Sequence, residues 1–261
     1  KIITLFALFL SFSALAQTGY WQQKLYYTID VSLNDKDKIL TGNETVIYKN
    51  NSPETLDYIW FHIWPNAYKN ESTALYQQIK NDASRKKKLE TSSWGSIDGL
   101  SFTVNGKAAA TEPHSNPSYI DIIKVKLPQP LKPGDSASIS TPFTVKLPAY
   151  FSRSGFADDE FMICQWYPKP AVYDKTGWHE MPYLDMGEFY SEYADYKVNI
   201  TVPSAYVVAA TGEMKNADEL AQYKEVGAKN TADRNARNQY QPKDKAAVKT
   251  LNYTASNVPD F

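Results

Sequence analysis

Apolar and polar residues alternate along most of the chain, a pattern typical of strands with one buried face. The clearest runs are residues 26–33 and 40–49, and each is followed by a polar turn. A denser apolar run at 56–64 predicts a strand that is buried on both faces. The same pattern predicts further strands at 100–104, 120–127, 137–147, 160–165, 196–202, 206–211 and 250–255.

Helical patterns are few. One short helix is predicted near residues 73–79, and a short exposed helix at 217–223 is possible within the polar segment 214–248. That segment is interpreted as a long hairpin loop or an insertion. Many short strands with one or two short helices predict an all-β fold, either an antiparallel β-sandwich or saddle-shaped sheets with long loops.

The first sixteen residues, KIITLFALFLSFSALA, have the features of a secretory signal peptide. Lys1 precedes an apolar run, and Ala14 and Ala16 are the small residues expected before a cleavage site. The run is shorter than the roughly 20 apolar residues that span a bilayer. We therefore expect cleavage after Ala16, a secreted or periplasmic protein, and no membrane span.

Residues 17–261 remain after this cleavage and are long enough for one large β domain or two small ones. The chain does not begin with methionine and stops on an apolar strand, from which we expect it to be a piece of a longer protein. Formal net charge is −1 with both signs interspersed, which predicts no nucleic-acid partner. The basic cluster Arg85–Lys88 is interpreted as a solvated loop. Cys164 is the only cysteine and is predicted to be a buried, small apolar side chain.

The histidines do not form a zinc motif. Such a motif needs two histidines one helical turn apart, together with a carboxylate. His62, His114 and His179 lie at least 52 positions apart in the sequence. His179-Glu180 begins like H-E-x-x-H, but the second histidine is absent and Pro182 would break the helix.

Other catalytic patterns are also missing from the sequence. There is no G-x-S-x-G, and a Cys164–His179 nucleophile pair is disfavoured because apolar surroundings raise a thiol pKa. A group of carboxylates could in principle hold a glycosidase pair or a calcium ion, but it lacks the spacing of a calcium loop and is interpreted as a solvated or hydrogen-bonding loop. Its members are Asp174, Glu180, Asp185, Glu188 and Glu192. Residues 1–261 therefore show no self-sufficient catalytic or metal site.

Several motifs together resemble one family. They are YTIDVSL at 27–33, LTGNETVIY at 40–48, WFHIWPNAY at 60–68, QWYPKPAVYD at 165–174, GEFYSE at 187–192 and NVPDF at 257–261. The pattern resembles the N-terminal β domain of the aminopeptidase N family of zinc metallopeptidases (gluzincins). It looks most like the secreted branch found in Bacteroidetes-type organisms, and it covers nearly all of residues 17–261.

The resemblance implies that catalysis and substrate binding are shared between two domains. In the family, a saddle of β-sheets packs against a thermolysin-like catalytic domain, which carries the H-E-x-x-H zinc site and a G-x-M-E-N loop. Both would follow residue 261, so the implied zinc would have its ligands outside this chain. The implied partners are that downstream catalytic domain and a peptide substrate.

One functional residue carries over by resemblance. In the family, a glutamine or glutamate at a strand end, before an aromatic-Pro segment, helps to bind the free α-amino group of the substrate. Gln165, before Trp166-Tyr167-Pro168, occupies that place. A neutral amide oxygen can accept a hydrogen bond from an ammonium group. The alternative is a strand-end residue that bonds the backbone. Asp174 resembles a structural aspartate and is expected to order its loop.

The resemblance thus predicts the substrate-cleft domain of a secreted zinc aminopeptidase, inactive by itself. The longer spacing from Pro168 to Asp174 and the added segment 178–183 leave substrate preference, and even strict aminopeptidase activity, open. A second hypothesis is a scaffold domain of a peptidase-like protein that has lost its metal site.

A different class of function is also compatible with the composition. The chain has 19 tyrosines, 11 phenylalanines and 6 tryptophans, which suits strands but also surfaces that bind peptides or sugars. The alternative is a non-catalytic aromatic-rich β-sandwich that binds polysaccharide or a cell-surface protein. Its stacking platform would consist of Trp60, Trp64, Trp94, Trp166 and Trp178.

Overall fold

The computed structural model describes residues 20–91, 94–233, 235, 237–242 and 247–261. The predicted signal peptide, residues 1–16, lies outside these residues. The strands are β1 Lys24–Asn34, β2 Ile39–Lys49, β3 Leu56–His62, β4 Ser96–Asp98, β5 Thr103–Val104, β6 Lys107–Ala108, β7 Thr111–Pro113, β8 Ile122–Leu131, β9 Ser136–Lys146, β10 Gly155–Ala157, β11 Glu160–Met162, β12 Lys169–Pro170, β13 Tyr173–Asp174, β14 Gly177–Trp178, β15 Ala194–Pro203, β16 Glu213–Met214 and β17 Val248–Val258. The helices are α1 Ala74–Ile79, α2 Ala83–Thr91 and α3 Ala217–Ala232, with a 3-10 turn at Trp64–Tyr68.

Nine of these strands form one large sheet in the order β16-β17-β15-β1-β2-β9-β5-β6, and β4 also pairs with β9. A smaller sheet has the order β12-β3-β8-β7. Along β1 the side chains alternate between buried and exposed positions, as the sequence pattern predicts. The core combines Tyr27 and Ile29 of the large sheet with Ile59, Phe61 and Val125 of the smaller one. The two sheets therefore enclose one core, and the predicted all-β class is confirmed.

Several local predictions hold and others need correction. The predicted helix near 73–79 is α1, in which the Thr73 hydroxyl accepts a hydrogen bond from the Tyr76 amide as an N-cap. The predicted helix at 217–223 is more than twice as long, because α3 continues to Ala232. The basic cluster 85–88 lies in α2, not in a loop. The described residues thus contain three α-helices instead of one or two.

Two strand predictions also differ from the structure. The pair β1–β15 is parallel, with Leu25 opposite Ala194, whereas the other ladders of the large sheet are antiparallel. Residues 206–211 do not form a strand. Side chains bond their backbone instead: the Val208 amide donates to the Tyr223 hydroxyl, and the Tyr253 hydroxyl donates to the Val208 carbonyl. The alternating sequence pattern cannot show that the backbone of this segment bonds side chains instead of a neighbouring strand.

Candidate functional site

Gln165 lies in a tight backbone turn after β11. The predicted strand 160–165 ends at Met162, and Gln165 has a φ of 55°, in the left-handed region that non-glycine residues seldom occupy. Its side chain is 9% exposed. The surrounding structure must therefore stabilise this backbone conformation, and the hydrogen bonds of the Gln165 side chain contribute to it.

The Gln165 carboxamide bonds two charged side chains. Its Oε1 accepts a hydrogen bond from Lys169 Nζ at 3.0 Å, and its Nε2 donates to Asp260 Oδ2. Lys169 Nζ also donates to Asp260 Oδ1 at 2.6 Å, which closes a ring of three side chains. Among the described residues, the Gln165 carboxamide bonds other side chains and not the backbone, unlike the alternative of a strand-end residue that bonds the backbone.

Lys169 is a buried cation. It belongs to β12, where it pairs with His62 of β3, and its residue is only 2% exposed. Its ammonium lies 5.4 Å from the ring centroid of Trp64 and 5.0 Å from that of Tyr167. Burial lowers the pKa of Lys169, and the adjacent Asp260 carboxylate opposes that shift. Asp260 also accepts from the Tyr167 hydroxyl at 2.8 Å.

A second buried carboxyl lies near this cation. Glu44, on the core side of β2, is buried, and neither of its carboxyl oxygens has a hydrogen-bond partner among the described residues. Burial raises the pKa of Glu44 well above its usual range, and the charge of Lys169 opposes the rise. Asp260, which is hydrogen-bonded directly, is therefore the main counter-charge of Lys169.

Gln165 and Asp260 line a large open cavity of about 1070 Å³, whereas Lys169 lies behind them. Gln165, Asp260 and Cys164 form one part of its wall. Other parts of the wall include aliphatic side chains of the large sheet, the segment 206–211 and three further charged groups. The aliphatic residues are Val31, Leu33, Leu40, Ile200 and Val202, and the charged ones are Arg153, Asp159 and Glu160. The cavity therefore combines a mostly apolar wall with a polar corner formed by the Gln165 and Asp260 side chains. This is the usual composition of a ligand pocket.

Cys164 is exposed, so the prediction of a buried cysteine is wrong. The strand before it, β11, pairs with β10 alone in a two-stranded hairpin, and Met162 is likewise exposed. Desolvation, together with Asp260, raises the pKa of the Cys164 thiol. The imidazole of His179 bonds Thr176 and Asp174, not the thiol. This geometry offers no activated Cys–His pair.

The carboxylates of segment 174–192 have separate roles. Asp174 Oδ1 accepts from the amide and the hydroxyl of Thr176, at 2.8 and 2.6 Å, and lies 2.9 Å from His179 Nε2. Desolvation raises the pKa of Asp174, but these bonds outweigh it and lower the pKa to about 2. Asp174 thus orders its turn, as expected. Asp185 forms an ion pair with Arg85. Within the described part of the chain, no three His, Cys, Asp or Glu side chains could together hold a metal ion.

The predicted aromatic platform is not present as an exposed surface. Trp60, Trp64 and Trp166 are buried, while Trp94 and Trp178 are half-buried. Trp64 stacks on His62 with ring centroids 4.3 Å apart, and its indole N–H donates to the Met181 carbonyl. The tryptophans therefore pack against the core and its margins, and the platform on which the carbohydrate or surface-protein hypothesis depended is lost.

Two buried carboxyls predict a pH-dependent stability. Asp121 Oδ2 accepts from the Tyr183 amide at 2.6 Å, and Glu192 Oε1 accepts from the Gln23 amide at 3.4 Å. Burial raises the pKa of Asp121 to about 7 and that of Glu192 to about 7. The folded state therefore keeps protons that the unfolded chain releases near pH 4, and stability falls as pH rises from about 4 to about 7.

The corresponding variant is Asp121→Asn, which keeps an oxygen acceptor for Tyr183 but cannot ionise. We expect its free energy of unfolding, relative to wild type, to rise by roughly 1.4 kcal/mol per pH unit across that window. Urea denaturation at several pH values measures this difference. Asp57→Asn, at an exposed position of β3, is the control for loss of a carboxyl. A constant difference between Asp121→Asn and wild type at all pH values would contradict the assignment.

Sequence reasoning singled out Gln165 as a candidate but did not identify the residues that bond its side chain. Lys169 stands only four residues further on, between two prolines in an aromatic run, and this lone charge was the available signal. Its partner Asp260 is 91 positions away. No local pattern could join them, because the contact forms only when the segment after β17 returns beside β12.

Comparisons with known proteins give structural matches only. No protein-family model and no curated protein matches the sequence. Among solved structures, the chain is similar to an M1 zinc metallopeptidase from Deinococcus radiodurans, with 15% identity, a TM-score of 0.43, and coverage of 90% of this chain and 39% of that one. A mutant of that enzyme bound to a Tyr-Ser-Ala substrate has 14% identity, a TM-score of 0.45 and coverage of 90% and 40%.

A third structure, a two-domain M1 zinc metallopeptidase mutant bound to L-tryptophan, has 15% identity and a TM-score of 0.44. The match covers 92% of this chain and 41% of that one. The chain thus spans about two fifths of the length of the structures it matches. Separately, none of the helices in the described ranges is both long and apolar enough to cross a membrane.

Proposed function

We propose that the chain is the N-terminal substrate-cleft domain of a secreted zinc metallopeptidase of the aminopeptidase N type, from the branch found in Bacteroidetes-type organisms. It would act on peptide N-termini together with a downstream catalytic domain. The motif QWYPKPAVYD at 165–174 supports this proposal by its resemblance to the family. By the same resemblance, the zinc would be held by the downstream catalytic domain; the described residues contain no group of side chains that could hold it.

The observation that carries the proposal is the position of Gln165. Its carboxamide belongs to the polar corner of the large cavity, and Lys169 is the one donor recorded for its oxygen among the described residues. A carbonyl oxygen has two lone pairs, so this atom can accept a second hydrogen bond. An α-ammonium group is a suitable donor, and the neighbouring Asp260 carboxylate would favour its positive charge.

The test needs the full-length protein, including the sequence beyond residue 261. We expect an H-E-x-x-H motif there, and hydrolysis of aminoacyl 4-nitroanilides that a zinc chelator abolishes. Gln165→Met should raise KM by about tenfold or more, since a hydrogen bond to a charged group contributes about 1.5–3 kcal/mol and each 1.4 kcal/mol is a factor of about ten. Gln129→Met, at an exposed position of β8, is the matched control and should leave KM unchanged.

Two results would contradict the proposal. Absence of any chelator-sensitive hydrolysis would favour a scaffold domain of a protein that has lost its metal site. Normal hydrolysis with an unchanged KM in Gln165→Met would remove Gln165 from the substrate site while leaving the peptidase assignment intact.

A further inference from the structure

The Gln165 carboxamide lies between a cation and an anion, each of which contacts one end of the amide. We propose that Lys169 and Asp260 are positioning residues that select one of the two possible orientations of this carboxamide. The consequence for substrate binding rests on the function proposed above. The orientation itself follows from the geometry of this chain.

A carboxamide has two ends of nearly equal size and opposite hydrogen-bonding character. In the observed orientation the oxygen faces the Lys169 ammonium and the nitrogen faces the Asp260 carboxylate. A flip by 180° would place the N–H groups against the ammonium and the oxygen against the carboxylate. Both contacts would then be repulsive, whereas both observed bonds are charge-assisted and strong. The ion pair thus allows one orientation only.

The positioning groups are themselves fixed. Lys169 is 2% exposed and is bonded directly to Asp260 at 2.6 Å. Asp260 accepts further hydrogen bonds from the Tyr167 hydroxyl and from the Phe261 amide, both at 2.8 Å. The left-handed backbone of Gln165 also restricts where its side chain can point. The two groups that select the orientation of the Gln165 carboxamide are therefore themselves held in place by other contacts.

A fixed orientation has a direct consequence for a ligand in the cavity. The two bonds to Lys169 and Asp260 leave one lone pair on Oε1 and one N–H on Nε2. If the amide could rotate, the group facing a bound ammonium would be a donor for part of the time, and binding would weaken. Lys169 and Asp260 keep the acceptor on one side, so they would contribute to the recognition of an amino terminus without touching it.

The orientation can be tested without any enzymatic activity. In the full-length protein labelled with ¹⁵N-glutamine, the Gln165 side-chain amide signal is the one that disappears in Gln165→Met. We expect Lys169→Met and Asp260→Asn each to shift this signal and to speed its hydrogen exchange. Lys126→Met, which removes the surface ion pair with Glu112, is the matched control and should leave it unchanged. An unaltered Gln165 signal in Asp260→Asn, which keeps the shape of the side chain, would overturn the proposal.

The effect on substrate binding is measured in the same variants. We expect Lys169→Met and Asp260→Asn to raise KM for peptides about tenfold and to change kcat by less than about twofold, with Lys169→Arg recovering part of the loss. In a Gln165→Met background, Lys169→Met should add no further increase, because Lys169 acts through Gln165. An equal increase in both backgrounds would show a merely structural role and overturn the proposal. Should the full-length protein hydrolyse no peptide, the proposed function fails, and the amide signal still decides the orientation.

Discussion

Replacing Asp260 with alanine is expected to lower the free energy of unfolding by about 3–5 kcal/mol, the usual cost of leaving a buried charge without its partner. The Lys169 ammonium is 2% exposed and would lose the carboxylate that it contacts at 2.6 Å. The Tyr167 hydroxyl would lose an acceptor at the same time. Glu44 also interacts electrostatically with Lys169, but its burial favours the neutral form.

Chemical denaturation at neutral pH measures this loss, and Asp195→Ala is the matched control. Asp195 pairs with Lys24 at 3.0 Å and also accepts from the Ser256 hydroxyl and the Asn257 amide. The two charged side chains are about one third exposed, so we expect a smaller loss of about 1–2 kcal/mol. The double variant Asp260→Ala with Lys169→Met should recover part of the stability, since no unpaired charge is then buried. A loss in Asp260→Ala no larger than in Asp195→Ala would mean that Lys169 is not charged in the folded protein.

Replacing Trp64 with alanine is the second change with a large expected effect, a loss of about 3–5 kcal/mol. The Trp64 side chain is 2% exposed, stacks on His62, and donates its indole hydrogen to the Met181 carbonyl. Its removal would leave a cavity among the buried residues that it packs against, including Tyr68 and Leu75. It would also expose one side of Lys169.

Trp94→Ala is the matched control, because the same residue type packs at the margin of the same group of residues but is only half-buried. We expect Trp94→Ala to lower the free energy of unfolding by roughly 1 kcal/mol, because Trp94 buries less apolar surface on folding than Trp64 does. Unfolding curves of the two variants, measured side by side, decide between a core role and a surface role. Equal losses would reopen the hypothesis of an exposed aromatic platform, which the burial of Trp64 now argues against.

Strand positions were predictable where one sheet face is buried and the other is exposed. Tyr27 and Ile29 alternate with exposed polar residues in the sequence, and the same residues line the core in the structure. The prediction failed at residues 206–211, which show a similar pattern but line the cavity. The prediction of burial also failed at Cys164, where apolar neighbours suggested a core position, although the hairpin just before it lies outside the large sheet.

Some residues of the candidate site could likewise be identified from the sequence, whereas the contacts between them could not. Gln165 and Asp174 could both be singled out from the sequence because their segment resembles a family motif. The ordering role expected of Asp174 is local, since it bonds Thr176 two residues further on. Lys169 could have been noted as a lone charge in an apolar segment. Its pairing with Asp260, and the orientation this pairing imposes on Gln165, could not.

Alternation and turn chemistry act between near neighbours in the chain, so the all-β class and most strand positions could be predicted from the sequence alone. Which polar groups meet depends on how distant segments fold together. Charge pairs such as Lys169–Asp260 join segments 91 residues apart, and their energy depends on burial, which no single segment carries in its own sequence.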